Sequence, residues 1–338
     1  MKFSIQKLMA GVIIIIVLAF VLLRGDELVA MVQTMKQGSA LPLVAAVCTQ
    51  LCKYVTQSFA YSFAFSAVEE HMRPRDTLPL VFGTFFMNTI APSLNVAGMT
   101  LVVDDAHRRG IAPGKASSAA ILMQMSIESG FVTIMLIGFS VLAATGNLDP
   151  LWFLLGLVVI LMVAIMGSVL VIGHKRPKTL IRMLRPIERL VNKVLVKLKR
   201  KPMDSWVDKT ADSFGEAAGL IAQRPLRAAR VFGCSILAST CELACFCLVG
   251  VSFGIDIPQT LICGYVLATL FAMISITPQG VGVVEAVVLV LFTSYGVSSA
   301  AGMATALVYR CLVFWMPFLI GAILIQMTKS FRRGKPKE

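Results

Sequence analysis

Thr277-Pro278-Gln279-Gly280-Val281-Gly282-Val283-Val284-Glu285 restricts this chain more than any other stretch, because it breaks an otherwise apolar run of residues 260 to 326. Proline cannot donate to the helical ladder, and two glycines just beyond it remove what helix propensity remains. Such a break at membrane depth is tolerated only where it is buried in protein or lines a cavity. The stretch therefore marks a built site. The next apolar helix carries Arg310, 25 residues after Glu285. Charges inside transmembrane segments are costly enough to rank as functional candidates by default, so Glu285 and Arg310 lead, with Pro278, Gly280 and Gly282 beside them.

Shifting the sequence by 186 positions repeats the punctuation without a gap. Pro92 falls under Pro278, Gly110 under Gly296, Ala120 under Ala306, Met87 under Met273 and Ile90 under Ile276. Each copy reads as an apolar arm, a proline break, a second arm, a glycine-containing turn and a long helix rich in small residues. We read an internal repeat.

With 57% hydrophobic residues and a mean hydropathy of +0.82, the 338-residue chain lies outside the soluble globular range and reads as a multi-spanning membrane protein. Its eight cysteines all fall in apolar segments and read as small buried residues, not as a disulfide framework or as a metal site at Cys241, Cys245 and Cys247. No metal and no cofactor is expected. The net charge of +13 would suit nucleic acid, but its placement follows membrane topology instead.

Taken in order, residues 8 to 23 form a first span, since no signal-peptide cleavage pattern follows them. A second span at 41 to 66 carries Lys53, Tyr54 and Gln57 on one side, which should face the protein interior. Two arms at 77 to 91 and 93 to 103 hinge at Pro92 and are each too short to cross a bilayer, so they read as a re-entrant hairpin. A long span at 116 to 143 carries Gln124 and Glu128, and 151 to 173 form an apolar, lipid-facing span. From 174 to 227 the chain is a basic amphipathic linker, with eleven Lys or Arg between His174 and Pro202. Its last part, with Val207, Ala211, Phe214, Ala218 and Ile221 on one face, reads as a helix ending near Pro225. The second half (228 to 328) then repeats the plan. A span at 228 to 250 contains Glu242, a broken pair at 260 to 276 and 281 to 295 forms the second hairpin, a last span runs from 300 to 326, and residues 329 to 338 are a basic tail.

The fold expected is thus an all-α polytopic membrane protein with about six full spans and two broken re-entrant hairpins, at 77 to 103 and 260 to 295. Placing both termini and the loops 67 to 76, 104 to 115 and 174 to 230 in the cytoplasm puts 27 of the 31 Lys and Arg on that side. The hairpins then open to opposite sides, which makes the repeat inverted, the architecture of alternating-access transporters.

At this point the residues resemble a family. Pro278-Gln-Gly-Val-Gly-Val-Val-Glu285, followed by Gly296, Arg310 and Trp315-Met-Pro317, is similar to the membrane domain of lysylphosphatidylglycerol synthase/flippases and their free-standing relatives. The resemblance implies a bacterial inner-membrane protein that moves an anionic or aminoacylated lipid between leaflets, with a separate lipid-modifying enzyme as a possible partner. Family members often carry a Gly-Glu-x-x-Arg-like element in the first half. Here that region reads Asn95-Val-Ala-Gly98-Met99-Thr100-Leu101-Val102.

Two readings of Glu285 and Arg310 stay open: an ion pair that locks the second hairpin, or a headgroup site. In the second, the planar fork of Arg310 suits phosphate or carboxylate, and Glu285 holds an ammonium or takes up a proton. Backbone N–H groups at Gly280 and Gly282 would approach the same anion. Lys53 and Glu242 lie at comparable depths and are candidates for a cross-repeat pair. Glu128 reads equally as a cavity residue or as one near the membrane edge, and Asn88 and Asn95 as groups that satisfy the broken backbone. The rival functions are an intramembrane lipid-modifying transferase and a non-transporting scaffold for an envelope enzyme. The first lacks a visible Ser-His-Asp grouping or metal-spaced His cluster, so a non-enzymatic role is expected, and no P-loop is seen that would bind ATP to drive transport.

Overall fold

A computed structural model of the chain describes residues 29, 32–91, 95–146, 149–183, 185–186, 189, 206–275, 280 and 282–328, and no strand occurs among them. The first apolar segment at 8 to 23, most of the basic run between 184 and 205, Pro92, Pro278 and the basic tail lie outside the described residues.

Helices start where proline can supply a preset φ without losing a used donor. Pro74, Pro113, Pro150, Pro225 and Pro258 open α2 (Pro74–Ile90), α4 (Pro113–Ala144), α5 (Pro150–Lys175), α7 (Pro225–Ser252) and α8 (Pro258–Ile274). The remaining elements are α1 (Ala40–Ala67), α3 (Val96–Arg108), α6 (Trp206–Gln223), α9 (Val283–Ser294), α10 (Ser299–Arg310), a π-helical turn (Cys311–Trp315) and α11 (Met316–Leu324). Four stretches are long and apolar enough to cross a membrane: α4, α5, α7 and the continuous run Ser299–Met327. α1 matches α7 in length, at 28 residues each.

The 186-residue offset maps α1 onto α7, α2 onto α8, α3 onto α9 and α4 onto the run from Ser299, each within about two residues at its start. Gly110 and Gly296, paired by that offset, both sit just past a helix end at positive φ (92° and 78°), the left-handed position that glycine fills without a Cβ clash. The corresponding helices α1 and α7 pack side by side and run antiparallel. At one end Ser39 N–H donates to the Ser252 carbonyl at 2.9 Å; in the middle Lys53 meets Glu242; at the other end Arg227 donates to the Ser66 carbonyl at 2.6 Å. Equivalent helices that are antiparallel are related by a two-fold axis across their length. The repeat is therefore inverted, and the axis passes close to Lys53.

Packing is swapped in the same sense, since each hairpin's first arm lies on the other repeat's long helix: α2 on α11, and α8 on α4. Glycines permit both approaches. A Cβ at Gly321 would stand 2.5 Å from the Phe82 carbonyl, and one at Gly138 would stand 2.6 Å from Val266. The result is two apolar clusters, one joining α1 to α4 with α11, the other joining the far half of α4 with α7 to α10. On α5, Leu151, Phe153, Leu157, Leu161 and Ile165 are exposed, as a lipid-facing span requires.

Ion pairs tie the loops at one end. Arg224 meets Glu69, Lys115 meets Glu70 at 2.8 Å, and Arg109 meets Asp76 at 3.3 Å. The loops expected on one face thus share it. The linker differs from expectation in one respect: Ala211, Phe214, Ala217 and Ala218 of α6 are buried against α4 and α5, so its last part belongs to the bundle. Gly114 of α4 and Gly173 of α5 lie under α6, Gly215 of α6 faces Gly173, and the missing side chains leave room for α6 to seat.

Candidate functional site

Where the two repeats meet, a cavity of about 260 Å³ opens at the middle of the bundle. Its walls come from the mid-helix residues Lys53 on α1, Glu128 on α4, Glu242 on α7 and Arg310 at the end of α10, and from the inner ends of both hairpins: Asn88, Asn95 and Gly98 from the first, Ala272, Met273 and Val284 from the second. Lys53 and Glu128 lie at the midpoints of their helices. Both hairpins therefore stop at half depth. That placement fits their lengths, since the 17 residues of α2 or α8 rise about 26 Å and the shorter second arms about 20 Å or less, against a hydrocarbon core of about 30 Å.

The charged residues singled out in the sequence converge here in three groups. Lys53 pairs with Glu242 across the two repeats, with side chains 14% and 16% exposed, and the Tyr265 hydroxyl donates to the other Glu242 oxygen at 3.3 Å. Arg310 pairs with Glu285, with side chains 7% and 14% exposed, and its guanidinium lies 6.0 Å from the centre of the Phe314 ring. Glu285 also accepts the Gly282 N–H at 2.9 Å, so it caps α9 while holding Arg310. Glu128, only 4% exposed, accepts from the Gln124 amide at 2.6 Å. It stands at mid-depth, not near the membrane edge, because α4 starts far enough back, at Pro113, to carry it to the middle.

Asn88 holds the first hairpin closed. Its oxygen accepts the Gly98 N–H at 2.7 Å, and its amide donates to the Asn95 side chain at 3.0 Å, with Asn95 itself in the left-handed region at φ 68°. It thus satisfies broken backbone, as the residue type suggested. Gly280 and Gly282 do not reach the cavity wall. Gly280 is buried with its Cα hydrogens toward the Ala272 backbone, where a Cβ would stand 2.9 Å away, and the Gly282 N–H is spent on Glu285. The anion cradle expected from these two glycines is therefore replaced by an internal cap. Pro278 falls outside the described residues.

Sequence reasoning picked out Tyr54 but passed over the other tyrosines. Tyr54, Tyr61 and Tyr309 line the cavity, and Tyr265 touches Glu242, which accounts for four of the five in the chain. A tyrosine inside an apolar span needs a partner for its hydroxyl, and that was the available signal. The lining offers two cations, two carboxylates, the side-chain amides of Gln57, Asn88, Asn95 and Gln124 and several hydroxyls, set among apolar side chains.

Comparison with known proteins identifies membrane proteins as the relatives of this chain. The family described as Lysylphosphatidylglycerol synthase TM region matches residues 8–321. A UPF0104 membrane protein of Methanothermobacter thermautotrophicus is 35% identical over 79 residues, 23% of either chain, and a UPF0104 membrane protein of Pyrococcus horikoshii, PH1989, is 41% identical over 54 residues, 16% of either chain. The chain thus matches less than a quarter of the length of these curated relatives.

Proposed function

From the premise that the chain belongs to the lysylphosphatidylglycerol synthase transmembrane-region family, we propose that it moves an anionic or aminoacylated lipid between the leaflets of the bacterial inner membrane. In this reading it acts as a carrier and not as an enzyme, both termini and the basic linker are cytoplasmic, and a separate lipid-modifying enzyme supplies the headgroup. The observation that carries the reading is the charged cavity at the two-fold axis between inverted repeats, bounded by both half-depth hairpins. A polar headgroup can rest in such a cavity while its acyl chains stay in lipid, and rocking of one repeat against the other exchanges access. Arg310 is suited to a phosphate or carboxylate, since its fork can hold two oxygens.

The test is reconstitution of the full chain in liposomes of defined composition. Lipid that co-purifies from the native membrane is identified by mass spectrometry, and its appearance on the outer leaflet is then followed in time. Enrichment of one anionic or aminoacylated lipid, with outward movement faster than in protein-free liposomes, is the expected result. Bulk lipid composition together with unchanged movement would remove the function.

A further inference from the structure

The 186-residue offset places Gln124 under Arg310, Glu128 under Phe314 and Met99 under Glu285. One repeat therefore carries an Arg–Glu pair between its hairpin and its long helix. The other carries a neutral Gln and Met at those places, with an additional carboxylate one turn further on. Four charged side chains line the cavity, the cations Lys53 and Arg310 and the carboxylates Glu128 and Glu242, with Glu285 reaching it only through Arg310. Glu242 has Lys53 and Glu285 has Arg310, whereas Glu128 has a neutral amide.

We propose that Glu128 is a proton-binding site whose occupancy decides which carboxylate Lys53 or Arg310 serves, and so couples proton movement to the cavity's change of access. A buried carboxylate without a cation is strongly disfavoured in the charged form, and a Gln donor compensates only part of that loss. In the arrangement seen, Glu128 is buried with a neutral amide as its hydrogen-bond partner, a place where a proton can be held. Loss of the proton to water entering the cavity leaves a charge that must be neutralised, and the two cations on the same walls are those already paired. Of the two, Lys53 lies at the axis between the repeats, so changing its partner from α7 to α4 would exchange a contact between the repeats for one within the first repeat. The other titratable and charged groups facing the cavity are Tyr54 and Tyr61 from α1, Glu242 from α7, and Tyr309 and Arg310 from α10. The lining residues of α2, α3, α8 and α9 carry no charge, and α5 and α6 supply none of the lining. Glu285, capped by Gly282 and held by Arg310, is not poised in this way.

The coupling rests on the transport reading, but the proton site is tested without lipid flux. The full chain in lipid nanodiscs is titrated while the protonated-carboxyl stretching band is recorded by infrared difference spectroscopy. The expected result is a band lost as pH rises, absent in Glu128→Gln, and moved to lower pH in Glu242→Gln, where Lys53 is released to Glu128. Glu128→Asp, which keeps the acid, should shift the band if Glu128→Gln proves too unstable to record. A band that survives Glu128→Gln, or is unmoved by both Glu242→Gln and Glu128→Asp, overturns the proposal. In liposomes, lipid movement should depend on pH in wild type and lose that dependence in Glu128→Gln; pH-dependent movement in the Gln variant would sink the coupling while leaving transport intact.

Discussion

Replacing Arg310 by Ala strands Glu285 at a site where its side chain is 14% exposed and its remaining donor is the Gly282 N–H. Breaking a buried pair by removing one partner typically costs about 3–5 kcal/mol, because the survivor keeps its charge without its counter-ion. That is on the order of a hundred- to several-thousand-fold in a folding equilibrium. Glu285→Gln is the informative second change. The Gln oxygen can still accept from Gly282, so the α9 cap survives and the variant isolates the charge left on Arg310. The double variant removes both charges and should recover about 2–3 kcal/mol relative to the sum of the singles. Arg310→Lys, which keeps the charge and loses the fork, should cost less than Arg310→Ala. Unfolding in mixed detergent–SDS micelles, followed by tryptophan fluorescence, reads these differences, with Trp315 buried five residues beyond Arg310. Additive singles would refute the argument that this pair holds the second hairpin to the long helix. Transport separates the roles. If Arg310 also contacts a headgroup, the stability-rescued double variant stays inactive; near-normal movement by Arg310→Ala would leave the pair purely structural.

Three further outcomes follow from the packing. Gly130→Ala places a Cβ about 2.6 Å from the Ser235 carbonyl and should lower the yield of folded protein through separation of α4 and α7, whereas Gly233→Ala meets nothing within 4 Å and should be neutral or stabilising by up to about 1 kcal/mol; both are read by thermal stability in detergent. Asn88→Ala leaves the Gly98 N–H without its acceptor and the Asn95 side-chain oxygen without its donor and should cost about 1–3 kcal/mol, with Asn88→Asp milder because it keeps the acceptor for Gly98; equal losses in the two variants would contradict the assigned bonds. In a cysteine-free background, cysteines at His71 and Leu195 should react only from the cytoplasm and one at Asp149 only from outside, and labelling of Leu195→Cys by an impermeant reagent in intact cells would reverse the topology.

Much of the fold was legible because lipid leaves few options for a backbone. Apolar length set the spans, proline and glycine set the helix starts and stops, and the spacing of Pro92, Gly110 and Ala120 against Pro278, Gly296 and Ala306 disclosed the repeat. The distribution of Lys and Arg gave the shared face of three loops, and the cost of intramembrane charge marked Lys53, Glu128, Glu242, Glu285 and Arg310 before any geometry. These are local or additive properties, and one sequence carries them. Partners are another matter. Comparable depth made Lys53 and Glu242, 189 residues apart, candidates for a cross-repeat pair, but that they do meet depends on the phase of two antiparallel helices at a pseudo-two-fold axis, which no spacing rule fixes. That the Gly282 N–H turns inward to Glu285, Glu128 stands at mid-depth beside Gln124, and α6 seats on glycines of α4 and α5 depends on how far each helix is shifted along its neighbour. Shifts of that kind are decided by side-chain interlock over the whole interface, a sum of many small contacts between residues far apart in the chain, and so they exist only in the assembled bundle.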